Sequence, residues 1–134
     1  MTGHQNNPAN GMNLYGDPAG RINLEALCIS MGIDAKHVRV VDPFDLATTE
    51  KTILEELEFE GPSVVISRRP CALLKSVKHG SPLHVEQDSC KSCKACMKIG
   101  CPAISFRDKK AVIDETQCVG CNVCQQMCKF GAIK

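Results

Sequence analysis

Cys90-Lys-Ser-Cys93-Lys-Ala-Cys96-Met-Lys-Ile-Gly-Cys101-Pro102, followed after residues 103–117 by Cys118-Val-Gly-Cys121-Asn-Val-Cys124-Gln-Gln-Met-Cys128, decides the reading of this chain. In each half, three cysteines recur at i, i+3 and i+6, with a fourth a few residues on. Thiolates at that spacing in a turning loop can wrap three corners of a cube of iron and sulfide while neighbouring amides point at its sulfides. The fourth corner needs a thiolate from farther along the chain. A disulfide framework suits such close triplets less well, and no secretory signal precedes them. Zinc uses CxxC pairs, four cysteines to an ion, and is the lesser alternative. Every ligand position is cysteine, which favours two complete [4Fe–4S] centres over a three-iron form.

The run resembles that of two-cluster bacterial ferredoxins, where the fourth cysteine of each motif ligates the other cluster. The resemblance implies one cluster on Cys90, Cys93, Cys96 and Cys128 and a second on Cys101, Cys118, Cys121 and Cys124. Cross-ligation would stitch the halves together, so that a very small domain can fold with little apolar core. Two departures stand out: four residues separate Cys96 from Cys101, and Lys129 follows Cys128 where a proline is usual. Cys101-Pro-Ala-Ile-Ser-Phe106 parallels Cys128-Lys-Phe-Gly-Ala-Ile133, an internal repeat. A small helix is expected after each triplet, ending near Gly100 and near Phe130. Arg107–Lys110 reads as a polar turn and Ala111–Asp114 as a strand. Ile104, Phe106, Val112, Ile113 and Ile133 are expected to pack around the clusters.

The 134 residues suffice for one modest domain or two small ones. A net charge of +1 suggests neither nucleic acid nor an anionic membrane as partner. Residues 88–134 carry eight cationic side chains against four carboxylates, a surplus read as offsetting the anionic clusters. No apolar run approaches the roughly 20 residues of a membrane span. The polar start, Met1-Thr-Gly-His-Gln5, is not a signal peptide, and many reduced cysteines point to a cytoplasmic location.

Residues 1–20, rich in Gly, Pro and Asn, read as loop. Asn23–Met31 reads as a helix with Leu24, Leu27, Cys28 and Met31 in one apolar stripe and Gly32 past its end. His37–Asp42 is a strand. A helix opening at Asp45 or Thr48 runs to about Phe59, with Leu46, Ile53, Leu54 and Leu57 inward and its glutamates solvated. Ser63–Ser67 is a second, nearly all-apolar strand. Strand, helix, strand makes a βαβ unit with parallel pairing, too small to close a core and read as the edge of a larger α/β domain. Cys71 is expected to be packed, and Arg68 and Arg69 to form a strand end. The predicted layout is an α/β remnant over residues 1–74, a linker over 75–84, and an α+β dicluster ferredoxin-like domain over 85–134.

Met1-Thr-Gly-His-Gln5 with Pro8, Val41-Asp-Pro-Phe-Asp-Leu46, Gly61-Pro62-Ser63, Arg68-Arg-Pro-Cys71 and the cysteine tandem together resemble the C-terminal part of the indolepyruvate:ferredoxin oxidoreductase α-subunit family. Members decarboxylate arylpyruvates oxidatively with thiamine diphosphate and Mg2+, form an acyl-CoA and pass electrons through clusters to ferredoxin. The resemblance implies a thiamine-enzyme edge in the α/β part, a β subunit as partner, and Thr2, His4 and Gln5 in the loop near the cofactor diphosphate. The family's Gly-Asp-Gly…Asn magnesium motif is absent: Gly16-Asp17 continues as Pro18-Ala19. The chain is therefore expected to be a piece of the enzyme, inactive alone, with thiamine diphosphate and Mg2+ bound only in the full-length protein. The alternatives are a stand-alone dicluster electron carrier, a subunit of another 2-oxoacid:ferredoxin oxidoreductase, and a zinc-stabilised interaction module.

Overall fold

The computed structural model describes residues 8–72, 74 and 77–134. The chain divides into two compact units, one ending at Val77 and one comprising Lys78–Lys134.

In the first unit, helix α1 (Leu24–Ser30) is capped by Asn23, whose side chain accepts the Ala26 amide. Gly32, at φ +97°, closes it: its amide bonds Ile29 O and the Ile33 amide bonds Cys28 O, the paired bonds of a Schellman motif. Strands β1 (Val38–Val41) and β2 (Val64–Ser67) pair in parallel, Val38 opposite Val64 and Val41 opposite Ser67. Helix α2 (Leu46–Leu57) is the crossover between them, capped by Asp45 through the Thr48 amide. Parallel strands need such a connection, and the βαβ reading holds.

The helix faces differ from expectation. α2 buries Thr52 and Glu56, while Ile53, Leu54 and Leu57 are exposed, Leu57 by 75%. Glu56 turns towards the start of β1, where His37 Nδ1 lies 2.8 Å and Arg39 Nη1 3.3 Å from its carboxylate. A paired, hydrogen-bonded carboxylate can be buried where a solitary one cannot. Two strands offer too little surface to cover the apolar stripe as well. For the same reason Leu27 of α1 and Met31 just past its end stay exposed, and Val41 is the one buried apolar residue among the described residues of this unit. Cys28 is half-buried, and Cys71, expected to be packed, is exposed.

The second unit is built on the repeat. Strands β3 (Ile104–Arg107) and β4 (Lys110–Ile113) form an antiparallel hairpin. Asp108 and Lys109 make its turn at φ +47° and +62°, the left-handed pair that matches strand twist. The matching pair in the other repeat is shorter: Val85 bridges Ile133, with reciprocal bonds between His84 and Lys134. The first helix ends at Gly100 as expected, but both begin within their triplets, not after them, and the second ends early. A 3-10 helix, Ala95–Ile99, contains Cys96, and helix α3 (Val123–Gln126) contains Cys124 and stops short of Phe130.

Ile104 and Ile133 join Leu83, Ala111, Cys96 and Cys124 in the core, with Ile113 against it. Leu83 marks a correction. Residues 78–84 belong to this unit and are not linker: Leu83 is buried, and a Cβ on Gly80 would stand 2.9 Å from Gly120 O.

Candidate metal centre

Both cysteine loops turn by the same device. Ser92 and Lys94 have φ +59°, and Gly120 and Asn122, in the matching places of the second repeat, have φ +62°. A left-handed residue on either side of the middle cysteine curls the loop and turns successive amides inward, making an anion-binding concavity. Three of these four residues are not glycine, so the conformation is maintained against a cost of about 1 kcal/mol at each.

The first loop lines a cavity together with Cys128, which the other repeat supplies. Cys90, Cys93, Cys96 and Cys128 share its wall with Phe106 and Ile133. Burial raises the pKa of the Cys96 thiol, and the charges of Cys128, Cys93 and Cys90 raise it further. Cys90 is pushed the other way, by the amides of Ala111 and Ser92 that point at its sulfur and by nearby Lys110. The Lys110 ammonium donates to the carbonyls of Gln87 and Cys90, each at 2.7 Å. The Ala132 amide lies 3.3 Å from the Cys128 sulfur.

A second gathering surrounds Cys124. Its thiol is pushed up to about 11, chiefly by burial and then by the charges of Cys121, Cys118 and Cys101. The neighbours thus again comprise two cysteines of the same triplet and one from the opposite repeat. The Leu83 amide points at Cys118 Sγ from 3.4 Å. Residues 80–81 close on the loop so tightly that a Cβ on Gly120 would stand 2.5 Å from Ser81 O.

The donor set suits a polynuclear cationic centre. Four thiolates brought together repel one another, and burial adds to the cost; a metal core that binds them as thiolates removes both penalties. Soft thiolates in fours, amides aimed at sulfur and apolar walls are the surroundings of iron–sulfur clusters. Among the described residues, no three His, Cys, Asp or Glu side chains converge closely enough to hold a single ion.

The two sequence departures have local explanations. The extra residue before Cys101 is taken up at Gly100, which ends the 3-10 helix at φ +64° with its amide on Met97 O. Lys129 occupies an exposed position and leaves Cys128 in the cavity wall. Thr2, His4 and Gln5 lie outside the described residues. Arg68 and Arg69 are held by ion pairs, Arg68 with Glu25 at 2.6 Å and Arg69 with Asp42 at 2.5 Å, and Arg69 also lies over the Phe44 ring. Sequence reading missed Leu83 and the Gly80–Gly120 approach, because Leu83 and Gly80 lie outside the cysteine repeat and nothing local to Gly120 shows which segment comes against it.

Comparison with known proteins agrees with this geometry. A family model described as a 4Fe-4S binding domain matches residues 111–134. The whole chain is 43% identical to an indolepyruvate oxidoreductase subunit IorA of Pyrococcus horikoshii. Against the subunits of that name from Thermococcus kodakarensis and Methanothermobacter thermautotrophicus it is 44% and 36% identical, again over its whole length. In each case the match covers 22% of the relative, so the chain spans about a fifth of their length.

Proposed function

The chain is homologous along its whole length to part of the IorA subunits of indolepyruvate oxidoreductase, and on that premise we propose that it is the electron-conducting part of such an enzyme. Cys90, Cys93, Cys96 and Cys128 hold one [4Fe–4S] cluster, and Cys101, Cys118, Cys121 and Cys124 hold the other. When bound, such clusters supply one-electron acceptance and donation. The chain's own residues do the rest. Ala132, Ala111, Ser92 and Leu83 direct amides at ligand sulfurs, which stabilises negative charge there. Ile104, Ile133, Phe106 and Leu83 keep water away.

The substrate chemistry belongs to the full-length enzyme: oxidative decarboxylation of an arylpyruvate with thiamine diphosphate, Mg2+ and CoA, electrons passing to ferredoxin, in the company of a β subunit and in the cytoplasm. The described helices include none long and apolar enough to cross a membrane. The α/β unit is the edge of the thiamine-binding domain in this reading, with Thr2, His4 and Gln5 near the cofactor diphosphate. Parallel strands joined by a crossover are what such a domain contributes at its edge.

What supports the proposal is that Cys128 of the second repeat lines one cavity with Cys90, Cys93 and Cys96, while Cys101 of the first lies with Cys118 and Cys121 near buried Cys124. Anaerobic reconstitution with iron and sulfide, followed by metal and labile-sulfide analysis, tests it: about eight of each per chain is expected. Cys101→Ala should then remove the cluster on Cys118, Cys121 and Cys124 and spare its neighbour in sequence. One or two zinc ions in place of iron, or loss of the Cys90–Cys96 cluster in that variant, would refute it.

A further inference from the structure

The two cysteine loops differ in charge, although they are repeats of each other. The first loop carries Lys91, Lys94 and Lys98, whereas from Cys118 to Cys128 there is no charged side chain. Lys91 and Lys94 line the mouth of the first cavity, beside exposed Cys93 and beside Phe130, which is 51% exposed. Lys94 lies over the Phe106 ring at 4.6 Å. Lys109 is brought to the same loop by a hydrogen bond from the Ser92 hydroxyl to its carbonyl, and Lys129 precedes Phe130. All four lysines are exposed, and none is in a salt bridge among the described residues, where Glu86 is taken by Lys134. Asp108, beside Lys109 in the hairpin turn, is the neighbouring carboxylate. The second loop carries no lysine of its own, and residues 80–83 close over part of it.

We propose that the face formed by Lys91, Lys94, Lys109, Lys129 and Phe130 docks an acidic one-electron carrier protein, making the Cys90–Cys93–Cys96–Cys128 quartet the exit for electrons. The inference rests on the cluster assignment above and adds to it a direction and a surface. An exposed aromatic within a charged rim is the composition of a transient protein interface. Four exposed cations with no salt bridge among the described residues favour encounter with an anionic partner and repel a basic one. At the docked face one electron leaves the quartet's cluster and one arrives on the carrier; no bond forms or breaks and no proton need move. The lysine surplus of this unit therefore does more than balance the clusters, since a balancing charge would be shared between the two loops.

The test uses the full chain, reconstituted anaerobically, with a purified acidic ferredoxin as probe and binding measured at low and high ionic strength. Lys91→Gln with Lys94→Gln removes two positive charges at the proposed face. Gln125→Glu with Gln126→Glu makes the same change in net charge beside the other quartet. At matched iron content, the lysine pair should weaken binding about tenfold at low salt and the glutamine pair less than about threefold. High salt should remove most of the difference. Phe130→Ala should weaken binding about tenfold at either salt. Equal weakening by the two pairs, or no effect of the lysine pair, would overturn the docking face while leaving the clusters in place. A wild-type chain that takes up no iron and sulfide would overturn the cluster assignment first, and this inference with it.

Discussion

Gly120→Ala tests how the second quartet is enclosed. Gly120 sits at φ +62°, and an added Cβ would stand 2.5 Å from Ser81 O and 2.7 Å from the Gly80 carbonyl carbon. Both are backbone atoms, so no side chain can swing aside, and residues 80–81 must move. The left-handed conformation costs alanine about 1–2 kcal/mol, and forcing the segments apart adds about 1–3 kcal/mol. Gly100→Ala isolates the first cost, because Gly100 has φ +64° and nothing within 4 Å of its Cβ position. Displacing residues 80–81 also draws away the Leu83 amide, 3.4 Å from Cys118 Sγ. The expected result is a melting temperature lower for Gly120→Ala than for Gly100→Ala by about 4–8 °C for each kcal/mol of difference. Under a chelator challenge followed by visible absorbance and electron paramagnetic resonance, about half the iron should leave Gly120→Ala early, from the Cys101–Cys118–Cys121–Cys124 site. Equal behaviour of the two variants, or early loss from the other quartet, would show that residues 80–83 are not the cover of this site.

Other outcomes follow from the first unit. Glu56→Leu puts an apolar side chain at a buried position yet should destabilise β1 and α2 by about 1–3 kcal/mol, because His37 and Arg39 lose their shared partner; reduced amide-exchange protection of Val38–Val41 in the full chain would register it, and unchanged protection would count against it. The figure is kept low because Arg39 is 41% exposed. Glu25 is held at about 2, chiefly by its hydrogen bond from Arg68. A carboxylate whose folded pKa is depressed contributes stability above its unfolded value, near 4.5, and loses it as pH falls towards about 2. The link between α1 and the end of β2 should therefore hold at neutral pH and weaken between about pH 4.5 and 2, and Arg68→Gln should return the Glu25 carboxyl carbon titration to the ordinary carboxylate range. A Glu25 midpoint that does not move in Arg68→Gln would mean that the pair does not form in solution.

How much of this was legible in sequence varied with the range of the interaction. Asn23, Asp45 and Gly32 act on backbone groups a few residues away, and each was readable as a helix end. The inward face of α2 was not, since Leu54 and Leu57 form an apolar stripe whatever lies opposite. Only the position of His37 and Arg39 shows that Glu56 is the residue the fold covers. Cys71 was misjudged for a related reason: its type favours burial, but among the described residues it stands exposed.

The cysteine spacing alone determined the chemistry, because three thiols at i, i+3 and i+6 are held near one another by a single loop wherever that loop lies. The βαβ order was equally fixed by local pattern. Which remote thiol belongs to each triplet was implied by the ferredoxin resemblance and not by spacing; tertiary structure shows how Cys128 reaches the first cavity, which loop residues 80–83 approach and which opens among lysines. Those outcomes depend on how the repeats fold back on each other, and chain separation says nothing about that until the hairpin turn and the Val85–Ile133 bridge are in place.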